Sequence, residues 1–213
     1  MAEPQARFVT FEGPEGAGKS TQIRRIQEAL ERTGHACLVT REPGGTPLGE
    51  ALRDVLLHHP GPIGAETELL LMFAARAEHL SRVIEPALAA GTWVLCDRFT
   101  DATYAYQGGG RGIDAARIGT IEQWVQGDRR PDMTVVLDVP VEVGHARLEA
   151  RGEPADRFER EDVHFYTRVR AVYRERARLP THTLVDGTLP PDAVFDEICH
   201  AISTRFPGLG LAP

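Results

Sequence analysis

The sequence predicts a three-layer α/β fold: a five-stranded parallel sheet with helices on both faces. Three observations predict it. Short apolar runs alternate with longer stretches of helical periodicity along the whole chain. The runs WVLCD (93–97) and MTVVLD (133–138) are apolar almost throughout, as strands covered on both faces should be. No internal repeat, low-complexity tract or Pro/Gly linker divides the 213 residues, a length that suits one core.

The elements follow in order. Residues 7–12 (RFVTFE) read as the first strand. Residues 19–32 place Ile23, Ile26 and Leu30 at helical spacing, and Gly34 stops the helix. Residues 36–40 form a short second strand, followed by helices over 48–58 and 66–90. The strand at 93–97, a helix over 115–126 and the strand at 133–138 come next. A helix to about 151, another over 162–178, a short strand at 183–186 and a helix over 191–205 complete the chain. Four strands end in an acid, Glu12, Asp97, Asp138 and Asp186. These side chains are expected at the carboxyl edge of the sheet, where ligands bind in such folds.

Composition narrows the class. The chain is 42% hydrophobic and 26% charged, as globular proteins are. No apolar run approaches the roughly 20 residues needed to cross a bilayer. The polar start, residues 1–7, lacks the apolar middle of a signal peptide. The expectation is a cytoplasmic protein without a membrane partner. A formal net charge of −7 argues against a nucleic-acid partner, whose footprint is a basic face. Cys37, Cys96 and Cys199 are scattered without metal or redox spacing and are expected as reduced, mostly buried thiols. Of 24 Lys and Arg residues only Lys19 is a lysine, and the chain has no asparagine. The one lysine marks a task for a compact ammonium rather than a guanidinium fork.

Lys19 belongs to GPEGAGKS, residues 13–20, which satisfies G-x-x-x-x-G-K-[ST] in full. The run lies between a predicted strand and a predicted helix, the context the motif requires. Gly13, Pro14, Glu15, Gly16, Ala17 and Gly18 form the phosphate cradle, with Ser20 and Thr21 opening the helix. Backbone N–H groups and the helix N-terminus attract phosphate. Lys19 is expected on the β- and γ-phosphates, and the Ser20 hydroxyl on Mg²⁺. The loop establishes a P-loop NTPase fold that uses a nucleoside triphosphate; the purpose needs other residues. A GTPase that reads guanine through Asn-Lys-x-Asp is excluded, because the chain has neither asparagine nor a second lysine. Transporter- and motor-type ATPases fit poorly at this length. A small-molecule kinase remains. A phosphate acceptor needs no base; it needs cations to offset the repulsion of two anions. Arg41, Arg53, Arg76, Arg98, Arg147, Arg151 and Arg157 stand in or beside predicted loops and strand ends.

Six ordered segments resemble the thymidylate kinase family: FEGPEGAGKST (11–21), TREPGGTPLGEALR (40–53), LLLMFAARAEH (69–79), CDRFTDATYAYQGGGRG (96–112), RPDMTVVLDVPVEVG (130–144) and RLEARGEPADRFE (147–159). The resemblance implies one nucleoside monophosphate kinase domain over 1–213, with a mobile lid at about 147–160. It implies transfer of the γ-phosphate of ATP to dTMP with Mg²⁺; another deoxynucleotide or deoxynucleoside kinase is the alternative. It implies small-molecule partners only, ATP and dTMP, and a homodimer. By the same resemblance Phe73, which alone reads as a core residue, stacks on thymine, and Arg76 hydrogen-bonds the base carbonyl. Arg98 bridges acceptor phosphate and transferred phosphoryl, and Asp97 helps to hold Mg²⁺. Glu15 contacts the sugar hydroxyl or the metal site. Tyr106 crowds the sugar 2′ position, with Thr103 and Gln107 nearby. Arg53 clamps the monophosphate, and the turn containing Pro43 shapes the wall. Arg151 and Arg157 close over the ATP phosphates, while Arg147 lies against adenine. A loop with Glu15 and no arginine, beside a basic lid, is similar to the bacterial subtype. Gln107 begins a glycine run (107–112) that reads either as a second anion nest or as a flexible turn.

Overall fold

The computed structural model describes residues 6–152 and 154–211; the polar start up to residue 5 and Glu153 of the expected lid lie outside them. Five parallel strands form one sheet in the order β2-β3-β1-β4-β5. They are β1 (Phe8–Glu12), β2 (Cys37–Arg41), β3 (Trp93–Asp97), β4 (Met133–Asp138) and β5 (His182–Asp186). β1 is central, paired with β3 and β4, and every one of its residues is buried. The edge strands β2 and β5 are only partly covered. This explains why their sequences are less apolar than those of the inner three.

Side chains alternate across the sheet with period two. Val9 and Phe11 join Leu95, Val135 and Leu137 on one face, where α1 (Lys19–Arg32) and α9 (Pro191–Arg205) pack with Ile23, Ile26, Leu30 and Ile198. Phe8, Thr10 and Glu12 therefore face the opposite layer. There Phe8 packs with Leu80, Ile84, Val94 and Phe99. That layer holds α2 (Pro47–His58), α3 (Ala65–His79), α5 (Thr100–Thr103), α6 (Ala115–Gln126), α7 (Val141–Arg151) and α8 (Val163–Arg176) in part or whole around Tyr106, Phe165, Tyr166 and Tyr173.

Two departures from the expected elements are informative. The helix expected over 66–90 widens into a π-helical turn at Leu80–Ile84 before α4 (Glu85–Ala89). Pro86 stands just beyond that turn; it lacks an N–H, and its ring crowds the carbonyl four residues back, so a wider turn relieves both problems. The glycine run after Gln107 is neither an anion nest nor a flexible turn. It belongs to a π-helical stretch, Tyr104–Gly110, that continues α5 and packs on α8. A Cβ at Gly110 would lie 2.4 Å from the Phe165 ring, so glycine permits the close approach. Arg168 donates to the carbonyls of Gly109 and Gly110 at 3.0 and 2.9 Å, so this surface offers acceptors rather than anion-binding amides.

The strand-end acids do reach one edge, with different fates. Asp138 pairs with Arg170 at 2.7 Å and with Arg174, and Asp186 accepts from Thr188. Asp97 lines the phosphate cavity, whereas Glu12 accepts from the Phe99 N–H behind the loop. All three cysteines are free, with Cys96 and Cys199 buried and Cys37 partly covered. Among the described residues no helix is long and apolar enough to cross a membrane. Trp124 on α6 is 85% exposed, whereas Trp93 on β3 is 2% exposed.

Candidate active site

β1 delivers the chain to Gly13, whose φ of 131° is open to glycine. A Cβ there would lie 2.2 Å from the Leu137 carbonyl oxygen of β4. The loop then turns into α1 at Gly18, the N-cap, and the unpaired N–H groups of the first turn meet a cavity of about 650 Å³. Residues 15–21 line it, with Arg53, Asp97, Arg98, Arg147 and Arg151. Lys19 is buried, and its Nζ donates to the Gly13 and Pro14 carbonyls at 3.1 and 3.0 Å. Burial, then the Arg98 charge, draws its pKa below the ordinary value, against Asp97, Glu15 and Glu12.

Arg98 is the hub of the site. It follows β3 with φ 68°, a left-handed conformation rare for a residue with a side chain. Its guanidinium donates to Gly13 O at 2.9 Å, Glu15 Oε1 at 2.7 Å, Tyr106 Oη at 3.1 Å and Tyr173 Oη at 2.8 Å. Burial alone would raise the Glu15 carboxyl, but Arg98 and Lys19 outweigh it and hold the pKa at about 2. Burial also pushes the Tyr106 phenol well above its usual range. Behind the loop, burial and the neighbouring Asp101 raise Glu12 to about 7, against Arg98 and the Phe99 N–H that donates to it at 2.7 Å.

For a metal the donor set is one hydroxyl and one carboxylate. Ser20 and Asp97 line the same cavity, and Asp97 Oδ1 is buried without a hydrogen-bond partner among the described residues. That suits Mg²⁺, which takes few protein ligands and completes its shell with water and phosphate. Among the described residues no cluster of three or more His, Cys, Asp or Glu could hold a metal by itself.

A second, narrow cavity of about 50 Å³ has Glu15, Arg53 and Arg98 in common with the first; Pro43, Met72 and Tyr106 are among its other lining residues, whereas the expected base contacts Arg76, Thr103 and Gln107 do not line it. Arg53 donates to Pro43 O at 3.0 Å. Arg76, fully buried on α3, donates to Glu42 at 2.7 Å, Phe99 O at 2.9 Å and Thr103 Oγ1 at 3.0 Å. Its Nη1 is buried and has no partner among the described residues. Gln107 donates through Nε2 to Glu68 at 2.7 Å, and its Oε1 is likewise buried and unpartnered. Phe73 is 2% exposed. It packs with Leu69, Ile113 and Ile118, touches the Arg76 guanidinium at 4.8 Å and does not line the narrow cavity, where Met72 from the same helix stands.

The expected lid arginines divide. Arg147 donates to Gly16 O at 3.2 Å, and Arg151 lines the large cavity while pairing with Glu159 at 2.8 Å. Arg157 stands apart. Its Nη1 pairs with Glu68 at 2.7 Å, its Nε donates to Leu56 O at 2.7 Å, and it does not line the phosphate cavity. The buried Glu68 carboxylate demands cations, which explains the placement. Glu68 and Tyr173 escaped the sequence reading, and Glu42 was expected only within the turn that shapes the wall, not as the partner of Arg76. Glu68 had a signal: it stands four residues before Met72 and eight before Arg76, on the same helix face.

The family profile described as thymidylate kinase matches residues 11–198. The chain belongs to the thymidylate kinase family. It is a kinase, a nucleotide-binding transferase of nucleotide biosynthesis, and the reaction of the thymidylate kinase family is phosphorylation of dTMP by ATP. It is 58% identical over 193 residues to the thymidylate kinase of Bordetella pertussis, covering 90% of this chain and 91% of the relative. It is 54% identical over 205 residues to that of Pseudomonas putida, covering 95% and 97%. The crystal structure of thymidylate kinase from Ehrlichia chaffeensis superposes with a TM-score of 0.75 at 33% identity, covering 93% of this chain and 99% of that one.

Proposed function

We propose that the chain transfers the γ-phosphate of ATP in line to dTMP by positioning and electrostatics, without a protein base. ATP lies along the large cavity, with its phosphates on residues 13–21 and Lys19. Bound at Ser20 and Asp97 through phosphate and water, Mg²⁺ would supply charge neutralisation on the triphosphate. The dTMP phosphate meets Arg53 and Arg98, the two arginines shared by both cavities. A phosphate monoester is already largely ionised near neutral pH, so the task is to make the approach of two anions tolerable. Glu15 fixes Arg98 through their 2.7 Å pair and stays ionised while doing so. Arg151 and, once it leaves Glu68, Arg157 add positive charge from the lid, and Arg147 lies against adenine.

One observation carries the choice of base. Arg76 Nη1, a donor, and Gln107 Oε1, an acceptor, are both buried and unpartnered among the described residues, Arg76 being held by Thr103 and Gln107 by Glu68. Unmet polar atoms in a protein interior are costly, and a ligand that satisfies them is favoured. Thymine offers a carbonyl next to an N–H; cytosine offers an amino group next to a bare nitrogen and would set donor against donor. The narrow cavity must widen to admit a nucleotide, and Phe73 and Tyr106 then flank base and sugar. The chain is read as one domain, cytoplasmic and homodimeric; Leu48 and Val55 on α2 and Leu70 on α3 are apolar, exposed and on adjacent helices.

A panel of dTMP, dUMP, UMP, dCMP and AMP with ATP and Mg²⁺ tests the reading. The expected order has dTMP fastest and dCMP near background. Phosphorylation of thymidine with none of dTMP would instead identify a nucleoside kinase.

A further inference from the structure

Glu68 lies in the first turn of α3 with a fully buried side chain. Its carboxylate receives three donors, two from the π-helical stretch and its cap and one from the lid. Gln107 Nε2 of the π-helical stretch donates at 2.7 Å, Arg157 Nη1 of the lid pairs at 2.7 Å, and Arg111 Nε reaches both oxygens at 3.3 Å. A carboxylate held between two guanidiniums only accepts, whereas a glutamine amide donates at one end and accepts at the other. Gln107 must therefore turn its NH₂ toward Glu68, and Oε1 is left on the opposite side, buried and unmet.

We propose that Glu68 is a positioning residue for base selection. Its charge fixes which end of the Gln107 amide faces the acceptor base. The acceptor so presented, with the free donor on Arg76, forms an edge that matches a pyrimidine carrying a carbonyl next to an N–H and rejects one carrying an amino group next to a bare nitrogen. The inference rests on Gln107 as a base contact. The same carboxylate anchors Arg157, so the base edge and the lid share one buried charge.

The test is kcat/KM for dTMP and for dCMP in native enzyme and in Glu68→Gln, Gln107→Met and Arg157→Ala. A glutamine at 68 can donate as well as accept, so Gln107 is free to turn over. The expected result for Glu68→Gln is a dTMP/dCMP ratio narrowed by about tenfold or more. A merely structural role would depress both substrates alike, and that parallel fall overturns the proposal. Arg157→Ala should lower kcat for both substrates and leave the ratio in place; a ratio that narrows as much as in Glu68→Gln would trace the effect to the lid and overturn the proposal too. Gln107→Met separates the two levels. If it leaves the dTMP KM unchanged, Gln107 is no base contact and both readings fall; if it raises KM while Glu68→Gln lowers both substrates alike, only the role of Glu68 falls. Should Glu68→Gln not fold, hydrogen exchange of the ¹⁵N-labelled Gln107 amide in native enzyme decides. One Nε2 proton should stay protected with and without dTMP, and loss of that protection on binding overturns the proposal.

Discussion

The phosphate loop and the lid face each other across one cavity and are held by different means. The loop is fixed chiefly by its backbone, Gly13 against β4 and Gly18 at the start of α1, with the Lys19 side chain resting on two loop carbonyls. The lid is held mainly by side chains, the pairs Arg151–Glu159 and Arg157–Glu68 and the bond from Arg157 Nε to Leu56 O, with one backbone bond from Arg157 N–H to Leu57 O. Backbone contacts within a closed loop have no alternative partners. Arginine pairs do, and a triphosphate competes for them. The loop keeps its shape through its own backbone, and the lid depends on arginine pairs, of which Arg157–Glu68 lies farthest from the phosphate cavity.

The largest expected effect falls on the loop. Lys19→Ala should lower kcat by about 10³-fold or more while leaving the thermal midpoint within a few degrees, because one oriented cation on the transferring group is lost and little packing is. Preserved turnover would erase the contrast between loop and lid. Arg157→Ala should lower kcat by about 10²-fold, far more than it shifts the dTMP KM. A change confined to KM would mean that Arg157 only ties the lid to α2 and α3. Phe73→Leu should raise the dTMP KM by about tenfold, spare the ATP KM and cost about 1 kcal/mol in denaturant unfolding. An equal rise in both KM values would leave Phe73 with a packing role alone. The smallest effect is on pH dependence. The Glu12 carboxyl, raised to about 7 by burial and then by Asp101, binds its proton more tightly in the folded state than in the unfolded chain, where 4.5 is ordinary. Its contribution to stability is complete below pH 4.5 and is lost as pH rises through about 7. Glu12→Gln should flatten that decline in urea melts between pH 5 and 8.

The legibility of the molecule follows the same division. The loop was readable because the motif dictates its own backbone and needs only a strand before it and a helix after it. The inner strands and most helices were readable from periodicity. The helical stretch at 100–110 was not, since its glycines argue against a helix by propensity and become useful through close contact with α8, Gly109 against Val172 and Gly110 against Phe165. The residues at the site were largely present in the sequence as types, but their partners were not. Nothing local states that Glu68 will claim both Gln107 and Arg157, because that choice arises where α3, the π-helical stretch and the lid converge. Arg98 shows the intermediate case: its place after β3 was legible, its left-handed backbone was not.

The two tryptophans turn these contrasts into an optical readout. Trp93 lies in the interior, against Phe206 and His35, while Trp124 stands in water on α6. Iodide should quench one emitter and spare the other. Blue-shifted, unquenchable fluorescence would then track the integrity of the sheet, and the red, quenchable component would report whether a second subunit comes to rest over α6.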